Sequence, residues 1–476
     1  MSAIDPGRFS PPPGFSRTAE RLEAAGFEAW AVGGAIRDAY VRQIGGPADL
    51  PDPIDLPDPA EPEPVEPEPN WEDLTTDARP DDVMRLFPRT VPVGLSHGTV
   101  KVLDGDDGYE VTTFRRDVET DGRHARVAFA DSIGEDLSRR DFTANAIAWR
   151  PASGEVRDEW GGAEDIEDGI LRAVGDPDAR FREDYLRILR GFRFAGRFEW
   201  AVEARTDEAM REAAGGLAGL SAERVREELL KVMADPKPSA ALHLYAACGA
   251  LGHWYPELRG LAADGDAWRS ALGAVDAAPA QAANVRVASL LVSASDTPEG
   301  RAEAAESLLS RLKFSNADRR YVTRLARLYL PFVGAMDSAA EHRRWLASVG
   351  DAWQDLFALH FAVARAAGET RAERYLEATR ERVREERDGD PPLDLASLAL
   401  KGDDLLALGM SPGPLVRMLL EELLEQVIED PGRNEHESLL EEARRLIEIG
   451  SLAEASRPLD APAAGNGLPG ADDRRR

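Results

Sequence analysis

The residues with the clearest chemical potential are three acids in the first quarter of the chain. Glu72 and Asp73 stand at the start of an expected strand, and Glu110 lies on a neighbouring one. Metal-assisted phosphoryl transfer uses carboxylates that converge on Mg²⁺, and adjacent strands can bring such side chains onto one face. These acids are therefore the candidate catalytic and metal-binding residues. The alternative for Glu110 is an exposed strand acid without a function.

A pair of glycines precedes these acids. Residues 27–32 have the character of a strand, and they lead directly into Gly33-Gly34 and a helix that carries Arg37. Two glycines after a strand allow the backbone to approach phosphate oxygens, which amide groups at the helix N-terminus can bind. Arg37 would reach the same triphosphate. Taken alone, the motif is equally typical of a tight turn followed by an ion pair on the helix surface.

A second polar motif lies at Arg140, Asp141 and Asn145. The guanidinium of Arg140 can bind phosphate, whereas Asp141 and Asn145 can form hydrogen bonds with sugar hydroxyls. An Arg-Arg-Asp run is otherwise common at the solvated start of a helix. The motif gains weight only in combination with the others.

A third motif is a row of charged residues within a helix expected over residues 179–194. Asp184, Arg187, Arg190 and Arg193 recur every three residues, which predicts one shared helix face. An ordinary amphipathic helix with an ion pair has the same spacing. A carboxylate accepts from an exocyclic amine, however, and a guanidinium donates to a ring nitrogen or carbonyl. Cytosine and adenine both present an amine beside an acceptor, so one Asp/Arg pair could select CTP and ATP without a template.

The elements that must hold these motifs divide the chain into two kinds of structure. Strand and helix patterns alternate up to residue 164, which predicts a small mixed-sheet head, and only helical spacing continues beyond it. The predicted fold class is therefore α+β, with an all-α remainder. Within the head, residues 47–69 are rich in Pro, Asp and Glu, and this density of Pro excludes a helix or a central strand.

Composition adds weaker constraints. The chain has 476 residues, a net charge of −29 and one cysteine, Cys248. This length predicts two to four domains, and a lone cysteine excludes an intrachain disulfide and a cysteine-based zinc site. The acidic balance argues against a general nucleic-acid-binding surface, although a local basic groove is compatible with it. No leader or membrane-spanning run is evident, which favours a cytoplasmic protein.

In this order, the motifs resemble those of the class II nucleotidyltransferases, which include the bacterial tRNA CCA-adding enzymes and the related bacterial poly(A) polymerases. Residues 74–80, 97–100, 174–177 and 221–229 carry further likeness. The resemblance is specific over roughly residues 18–260 and extends weakly to about residue 448. It implies a fold of head, neck, body and tail. It also implies a reaction in which an RNA 3′-hydroxyl attacks the α-phosphate of a nucleotide and releases pyrophosphate.

The resemblance implies a domain organisation, and Pro-rich or Ala-, Pro-, Gly- and Asp-rich composition predicts disorder at the two ends. The expected divisions are a disordered N-terminus (1–17), a nucleotidyltransferase head (18–164) with the insertion at 47–69, a neck of nucleotide- and RNA-binding helices (165–235), a helical body (236–388), a helical tail (389–450) and a disordered C-terminus (451–476). Longer family members carry a His-Asp phosphohydrolase domain in the body, where this chain has Val292-Ser293. We therefore expect a degenerate body domain with neither a second metal site nor phosphatase activity.

Each candidate residue takes a role from the resemblance. The triphosphate would contact Gly33, Gly34, Arg37 and Arg140, the sugar would lie near Asp141 and Asn145, the base would be read by Asp184 and Arg187, and Arg190 and Arg193 would complete the pocket. Mg²⁺ is the implied cofactor, bound by Glu72, Asp73 and Glu110. The implied partners are tRNA or other RNA 3′ ends together with CTP and ATP. The favoured function is template-independent addition of CCA to tRNA. The alternatives are poly(A) addition and a catalytically weakened RNA-binding homologue.

The metal-binding motif departs from the family pattern, which is Asp-x-Asp directly before Leu-x-Thr. Here the chain reads Asn70-Trp71-Glu72-Asp73-Leu74. Aligned without a gap, Trp71 replaces the first aspartate and Asp73 is the second. With one residue inserted, Asn70 and Glu72 take the two positions, and a local bulge could bring Glu72 and Asp73 to the metal together. Neither alignment preserves two aspartates, which is the basis of the weakened-homologue alternative.

Overall fold

The computed structural model describes residues 4–45, 71–94, 98–105, 107–120, 125–330 and 336–455. The insertion at 47–69 lies outside this part of the chain, as do Asn70, His97 and the residues after 455. The expectations of an extended insertion and of a disordered end beyond residue 455 therefore stay predictions. The C-terminal helix itself continues to Ala455, past the expected end of the tail at residue 450.

Strands concentrate in the first 160 residues. The strands of the described residues are β1 (Ala29–Val32), β2 (Asp73–Thr76), β3 (Thr90–Gly94), β4 (Thr99–Asp104), β5 (Asp107–Thr113), β6 (Arg115–Thr120), β7 (Ala125–Phe129), β8 (Ala148–Arg150), β9 (Glu155–Arg157), β10 (Ile170–Leu171) and β11 (Ala201–Val202). Seven of them form one sheet in the order β3-β4-β5-β2-β1-β8-β9. Within it, β2 runs parallel to β5, while β1 is antiparallel to both β2 and β8.

The register of the central strands places two of the sequence motifs side by side. β1 is buried along its whole length, and Trp30 and Val32 pack into a core that includes Phe114. Ala31 of β1 pairs with Leu74 of β2. Because the strands are antiparallel, the end of β1, where the glycine turn begins, lies beside the start of β2, where the acids stand.

Helices account for most of the remaining chain. They are α1 (Pro13–Ala24), α2 (Gly34–Gln43), α3 (Pro80–Leu86), α4 (Ile133–Ser138), α5 (Gly162–Glu167), α6 (Pro177–Glu183), α7 (Leu186–Phe198), α8 (Ala204–Ala213), α9 (Ala222–Ala234), α10 (Pro238–Ala247), α11 (Leu251–Trp254), α12 (Arg259–Ala263), α13 (Gly265–Ala277), α14 (Ala283–Leu291), α15 (Pro298–Arg311), α16 (Asn316–Leu328), α17 (Ala339–Val349), α18 (Trp353–Ala366), α19 (Thr370–Asp388), α20 (Gly402–Ala407), α21 (Pro414–Glu429) and α22 (His436–Ala455). The predicted α+β fold class is confirmed. The neck differs in one detail, because β10 and β11 form a short parallel pair there.

The N-terminal stretch differs from the expectation of disorder over residues 1–17. From residue 4 onward it is structured: a 3-10 helix covers Pro6–Arg8, and α1 already begins at Pro13. Phe9 and Phe15 are buried and pack edge-to-face against Trp71. The high Pro content of this stretch suggested disorder, but burial of two aromatic rings outweighs the entropy of ordering the segment.

The described residues divide into two compact units. The first comprises residues from 1–333 and 354–376, and the second comprises residues from 334–353 and 377–476. All the site residues named above belong to the first unit. The second unit has its own apolar core, which includes Leu400, Leu423 and Val427. No helix in the described part of the chain is both long enough and apolar enough to cross a bilayer.

Candidate active site

The sheet brings Asp73 and Glu110 together. They are direct partners in the parallel register of β2 and β5, and Lys101 of β4 pairs with Glu110 from the other side. Directly paired residues point to the same face of a sheet, so these three side chains form what we call the carboxylate face. Glu72 lies in the turn before β2 and is exposed, and its backbone carbonyl accepts a hydrogen bond of 2.7 Å from the Glu110 amide.

The environment of Asp73 favours a neutral carboxyl group or a bound cation. Partial desolvation raises the pKa of Asp73, and the nearby Glu110 and Glu72 raise it further, against the opposing effect of Arg140 and Arg115. The side chain nevertheless stays accessible to solvent. Within the described residues, no group of three or more His, Cys, Asp or Glu side chains is arranged to hold a metal ion. The sheet thus pairs Asp73 with Glu110, while Glu72 lies outside that pair in the arrangement described.

Trp71 faces away from this chemistry. Its ring is buried and packs edge-to-face against Phe15, Phe9 and Trp149, with ring centroids 5.5 to 6.1 Å apart. Trp71 therefore belongs to an aromatic core beneath the sheet. In the gapless alignment, the position of the first family aspartate is filled by a residue of this core.

The glycine turn lies against Arg140. Gly33 has a φ of 69°, a left-handed conformation that favours glycine, and α2 begins at the next residue. A Cβ atom on Gly33 would lie 2.8 Å from Nη1 of Arg140. The guanidinium of Arg140 also donates to Asp136 at 3.1 Å and to the carbonyl of Asn145 at 3.3 Å. Its buried Nε atom has no hydrogen-bond partner among the described residues.

Arg37 is fixed by hydrogen bonds and by contacts with aromatic rings. Its guanidinium is buried, donates to Asn145 Oδ1 at 2.6 Å and to Asp38 at 2.7 Å, and lies over the rings of Phe194 and Phe198. Burial lowers the pKa of Arg37, and Asp38 acts in the opposite direction. The structure therefore places Arg37 in a preformed hydrogen-bonded position one turn into α2.

Asp141 joins the head to α7. Its Oδ1 atom accepts from the Asn145 amide at 2.9 Å, and its Oδ2 atom accepts from Arg190 at 2.7 and 2.8 Å. Burial alone would raise the pKa of Asp141, but Arg190 and Asn145 together hold it well below its ordinary value. With Arg37, these residues form a continuous chain, Arg37–Asn145–Asp141–Arg190, which we call the arginine network.

Asp184 corrects the expectation of a single helix over residues 179–194. The chain forms two helices instead, and Asp184 lies in the break between them with an extended backbone (φ −155°, ψ 106°). Its Oδ1 atom accepts from the Leu186 amide at 3.1 Å and thereby caps α7, while Oδ2 accepts from Arg224 at 2.6 Å. The carboxylate is thus fixed by α9 and by the start of α7, rather than by its place in a helix face.

The arginines of α7 each have distinct partners. Arg187 donates to Glu183 at 2.6 Å and to the backbone carbonyls of Arg180 and Arg139, both at 3.0 Å. Arg193 is buried and donates to Glu228 at 2.9 Å. The structure therefore holds Arg187 against the head motif around residue 139, and it directs Arg193 towards α9.

Several supporting residues escaped the sequence analysis. Asp136 is buried between Arg139 and Arg140, and these guanidinium groups outweigh burial and hold the pKa of Asp136 below its ordinary value. Glu228 and Arg224 lie on α9 and bind Arg193 and Asp184, respectively. Both α9 residues belong to the motif at 221–229, which carried the resemblance without an assigned role. The sequence alone gave no sign of these long-range pairs.

Comparison with protein-family models matches three successive segments. Residues 29–172 match the poly A polymerase head domain, residues 200–261 match the model described as a probable RNA and SrmB-binding site of polymerase A, and residues 288–443 match tRNA nucleotidyltransferase domain 2. The sheet with its carboxylate face, the glycine turn and the helical remainder agree with this order. The fold and the site thus define a nucleotidyltransferase.

Curated relatives make the family specific. A CCA-adding enzyme of Lactiplantibacillus plantarum is 33% identical over 440 residues, which cover 90% of this chain and 95% of that enzyme. One from Geobacillus sp. is 41% identical over 243 residues, which cover 50% of this chain and 54% of that enzyme. The chain belongs to the family of CCA-adding enzymes.

Solved structures agree with this family. The crystal structure of a Bacillus stearothermophilus CCA-adding enzyme in complex with CTP aligns with a TM-score of 0.71 at 29% identity, and the alignment covers 92% of this chain and all of that one. A Thermotoga maritima CCA-adding enzyme complexed with tRNA aligns with a TM-score of 0.57 at 17% identity, covering 94% of this chain and 97% of that one. The second likeness supports the fold alone.

Proposed function

We propose that this protein adds CCA, from CTP and ATP, to tRNA 3′ ends without a nucleic-acid template. The observation that carries the proposal is the arginine network, which joins the helix after the glycine turn to the helix that follows Asp184. Its members are buried or half-buried and hydrogen-bonded to one another. Groups that bind a triphosphate and groups that read a base are thereby held in one fixed arrangement, as selection by the protein alone requires.

In the proposed reaction, the 3′-hydroxyl oxygen of the RNA attacks the α-phosphorus of the bound nucleotide. A new O–P bond forms, and the bond to pyrophosphate breaks. Gly33, Gly34, Arg37 and Arg140 bind the triphosphate, and Nη1 of Arg140 lies beside the glycine turn. Asp141 and Asn145 lie near the sugar. These groups orient the α-phosphate and neutralise the charge that accumulates on the leaving pyrophosphate.

Base selection is assigned to Asp184 and Arg187, with Arg190 and Arg193 completing the pocket. Both Asp184 oxygens already accept one hydrogen bond, and a carboxylate oxygen has a second lone pair for an exocyclic amine. The N4 amine of cytosine and the N6 amine of adenine fit this acceptor. The O4 carbonyl of uracil would face it with like partial charge, so UTP is disfavoured.

The carboxylate face fits a divalent cation that is completed by the substrate. Mg²⁺ commonly binds to proteins through one or two carboxylates together with water and phosphate oxygens. Asp73 and Glu110 provide two such groups, and burial together with the neighbouring acids raises the pKa of Asp73. Glu72 is the proposed third contributor. Bound Mg²⁺ would activate the attacking hydroxyl and stabilise the pyrophosphate.

Poly(A) addition is the second candidate, because the head matches a poly A polymerase model. The third is a weakened RNA-binding homologue, because Trp71 occupies one possible position of the first aspartate. The family includes proteins with both polymerising activities, and the extent of the L. plantarum match favours CCA addition. We also propose a cytoplasmic location, where uncharged tRNA and nucleotides are available.

Incubating the purified protein with tRNA that lacks its terminal CCA, with CTP and ATP singly and together, separates these functions. Ordered incorporation of two C residues and one A residue supports the proposal. Extension of arbitrary RNA with A alone supports poly(A) addition. Retained tRNA binding without any incorporation supports the weakened homologue and contradicts both enzymatic functions.

A further inference from the structure

Besides the hydrogen-bond partners of Asp184, a second contact lies at the break between α6 and α7, namely the contact of Tyr185 with Gly216. Tyr185, the residue directly after Asp184, is half-buried and adopts the first helical conformation of α7 (φ −63°, ψ −19°). Its ring lies flat against Gly216: a Cβ atom placed on Gly216 would meet the ring atoms Cε1, Cδ1 and Cζ at 2.2, 2.3 and 2.4 Å. Only a residue without a side chain leaves room for the ring in this position.

Gly216 belongs to a short backbone segment that packing holds in place. It lies in the 3-10 helix Ala214–Gly219, whose Leu217 is completely buried. The indole of Trp254 donates a hydrogen bond of 2.8 Å to the Leu217 carbonyl and anchors the same turn. A shift of this 3-10 helix would disturb a packed core. Added bulk at Gly216 is therefore expected to displace the Tyr185 ring instead.

The glycine is not required by its backbone conformation. Neither Gly215 nor Gly216 belongs to the described glycines with positive φ, so alanine is allowed at both positions. A Cβ atom on Gly215 meets no atom within 4 Å. Of the two neighbouring glycines, only Gly216 would bring an added methyl group against the Tyr185 ring.

Displacement of Tyr185 would also change the position of Asp184, the preceding residue. Asp184 and Tyr185 share a peptide unit, and Asp184 has an extended backbone whose carbonyl accepts a hydrogen bond of 3.1 Å from the Arg187 amide in the first turn of α7. Its carboxylate direction depends on two contacts, the Leu186 amide and Arg224. A rotation of the Tyr185 backbone changes both the direction of the Asp184 carboxylate and the first amide of α7 that it caps.

We infer that Tyr185 and Gly216 are positioning residues for base selection, because the ring seated on Gly216 fixes the break that aims Asp184. This inference rests on the proposed function and deepens it. It assigns a role in nucleotide selectivity to a contact that touches neither the nucleotide nor the RNA. Displacements of about 1 Å at such a position can cost up to about a hundredfold in rate, so the effect is measurable.

The test compares Gly216→Ala with Gly215→Ala, since both add one methyl group to the same 3-10 helix. The readout is the ratio of kcat/KM for CTP to that for UTP on tRNA that lacks CCA. We expect Gly216→Ala to lower this ratio about tenfold, whereas Gly215→Ala leaves it at the wild-type value. Equal ratios for the two variants would overturn the inference. A wild-type protein without nucleotide preference would overturn the proposed function and this inference together.

A double-variant series separates positioning from general damage. In the background of Tyr185→Ala, the added methyl group of Gly216→Ala has no ring to displace. The inference therefore requires that Gly216→Ala cause no further loss of selectivity there, and additive losses would contradict it. If Gly216→Ala does not fold, Tyr185→Leu provides the same test, because it removes the flat ring without adding bulk. Unchanged selectivity in folded Tyr185→Leu would overturn the inference.

Discussion

The arginine network and the carboxylate face are built in opposite ways. In the network, Asp141 is paired with Arg190 and accepts from Asn145, and the pKa of Asp141 falls well below its ordinary value. On the carboxylate face, Asp73 lies beside other acids and its pKa is raised. The network pairs its buried acid with a cation, whereas Asp73 is desolvated beside other acids, and Arg140 and Arg115 only partly offset this.

This difference indicates a division of labour. The network joins the groups proposed to bind the triphosphate and the sugar to Arg190, which is proposed to complete the base pocket, and its buried paired charges keep one geometry through successive additions. Groups that promote the chemical step can be completed by substrate and cation only when both are present. A site that is finished by its ligands is less stable without them, which is the usual relation between stability and activity at functional sites.

The largest expected effect is the loss of reaction rate in Asp73→Asn. Removing a charged ligand from the carboxylate face should lower single-turnover incorporation by about a thousandfold, since a catalytic cation contributes several kcal/mol. Binding of tRNA should stay near the wild-type level. Chelation of divalent cations should reproduce the same loss in the wild type. An Asp73→Asn protein of nearly normal rate would show that Asp73 does not belong to the metal site.

The companion variant Glu72→Gln should lose less of the single-turnover rate than Asp73→Asn, because Glu72 lies before the paired register of β2 and β5.

A smaller effect is expected from Asp184→Ala, which should act on selectivity. Without the carboxylate that accepts the exocyclic amine, discrimination of CTP against UTP should fall about a hundredfold. The rate with CTP should fall less than in Asp73→Asn. Competition between CTP and UTP during incorporation measures the ratio directly. If the ratio is retained, Asp184 does not read the base.

The third effect is on stability, and it concerns an Asp-to-Asn substitution in the arginine network, to be compared with the same substitution on the carboxylate face. The depressed pKa of Asp141 means that its charged form stabilises the fold above the unfolded pKa of about 3.9, and this contribution is lost as pH falls through the lower folded value. Asp141→Asn should therefore cost about 2 kcal/mol at pH 7. The difference from the wild type should shrink below about pH 4. Urea unfolding at several pH values measures both.

The smallest effect has the opposite sign. The raised pKa of Asp73 means that its charged form opposes folding at neutral pH, whereas below the unfolded pKa of about 3.9 the opposition disappears. Without divalent cations, Asp73→Asn should therefore raise Tm slightly at pH 7 and leave it unchanged at pH 3. Addition of Mg²⁺ and CTP should favour the wild type, since ligands that bind the folded state stabilise it. A lower Tm of Asp73→Asn than of the wild type, both without divalent cations, would contradict the proposed contrast between the arginine network and the carboxylate face.

Much of the site could be predicted from local patterns, but its partners could not. The strand expected around Glu110 is present as β5 (Asp107–Thr113). The helix break at Asp184 was missed because the apolar spacing continues across it. Likewise, nothing in the spacing of Arg224 indicates that it holds Asp184, because the two residues lie far apart along the chain. The pairs that Asp136 forms with Arg139 and Arg140 have the i,i+3 and i,i+4 spacing of a helix and were open to prediction.

Two errors have a common physical cause. The first residues were expected to be disordered from their Pro content, and β3 was not anticipated in a stretch that contains Pro92. Both segments are stabilised by tertiary contacts rather than by local propensity, since Phe15 packs on Trp71 and β3 is an edge strand beside β4. Local propensity is a weak guide wherever packing decides.

The most direct test of the proposed function is the sequence that the purified protein adds. The substrate is tRNA lacking its terminal CCA, supplied with Mg²⁺ and all four nucleoside triphosphates, and the added ends are sequenced. Template-free selection by the Asp184 and Arg187 pair predicts ends that read CCA and contain neither G nor U. Ends of A alone, ends of mixed composition or unextended tRNA would contradict it.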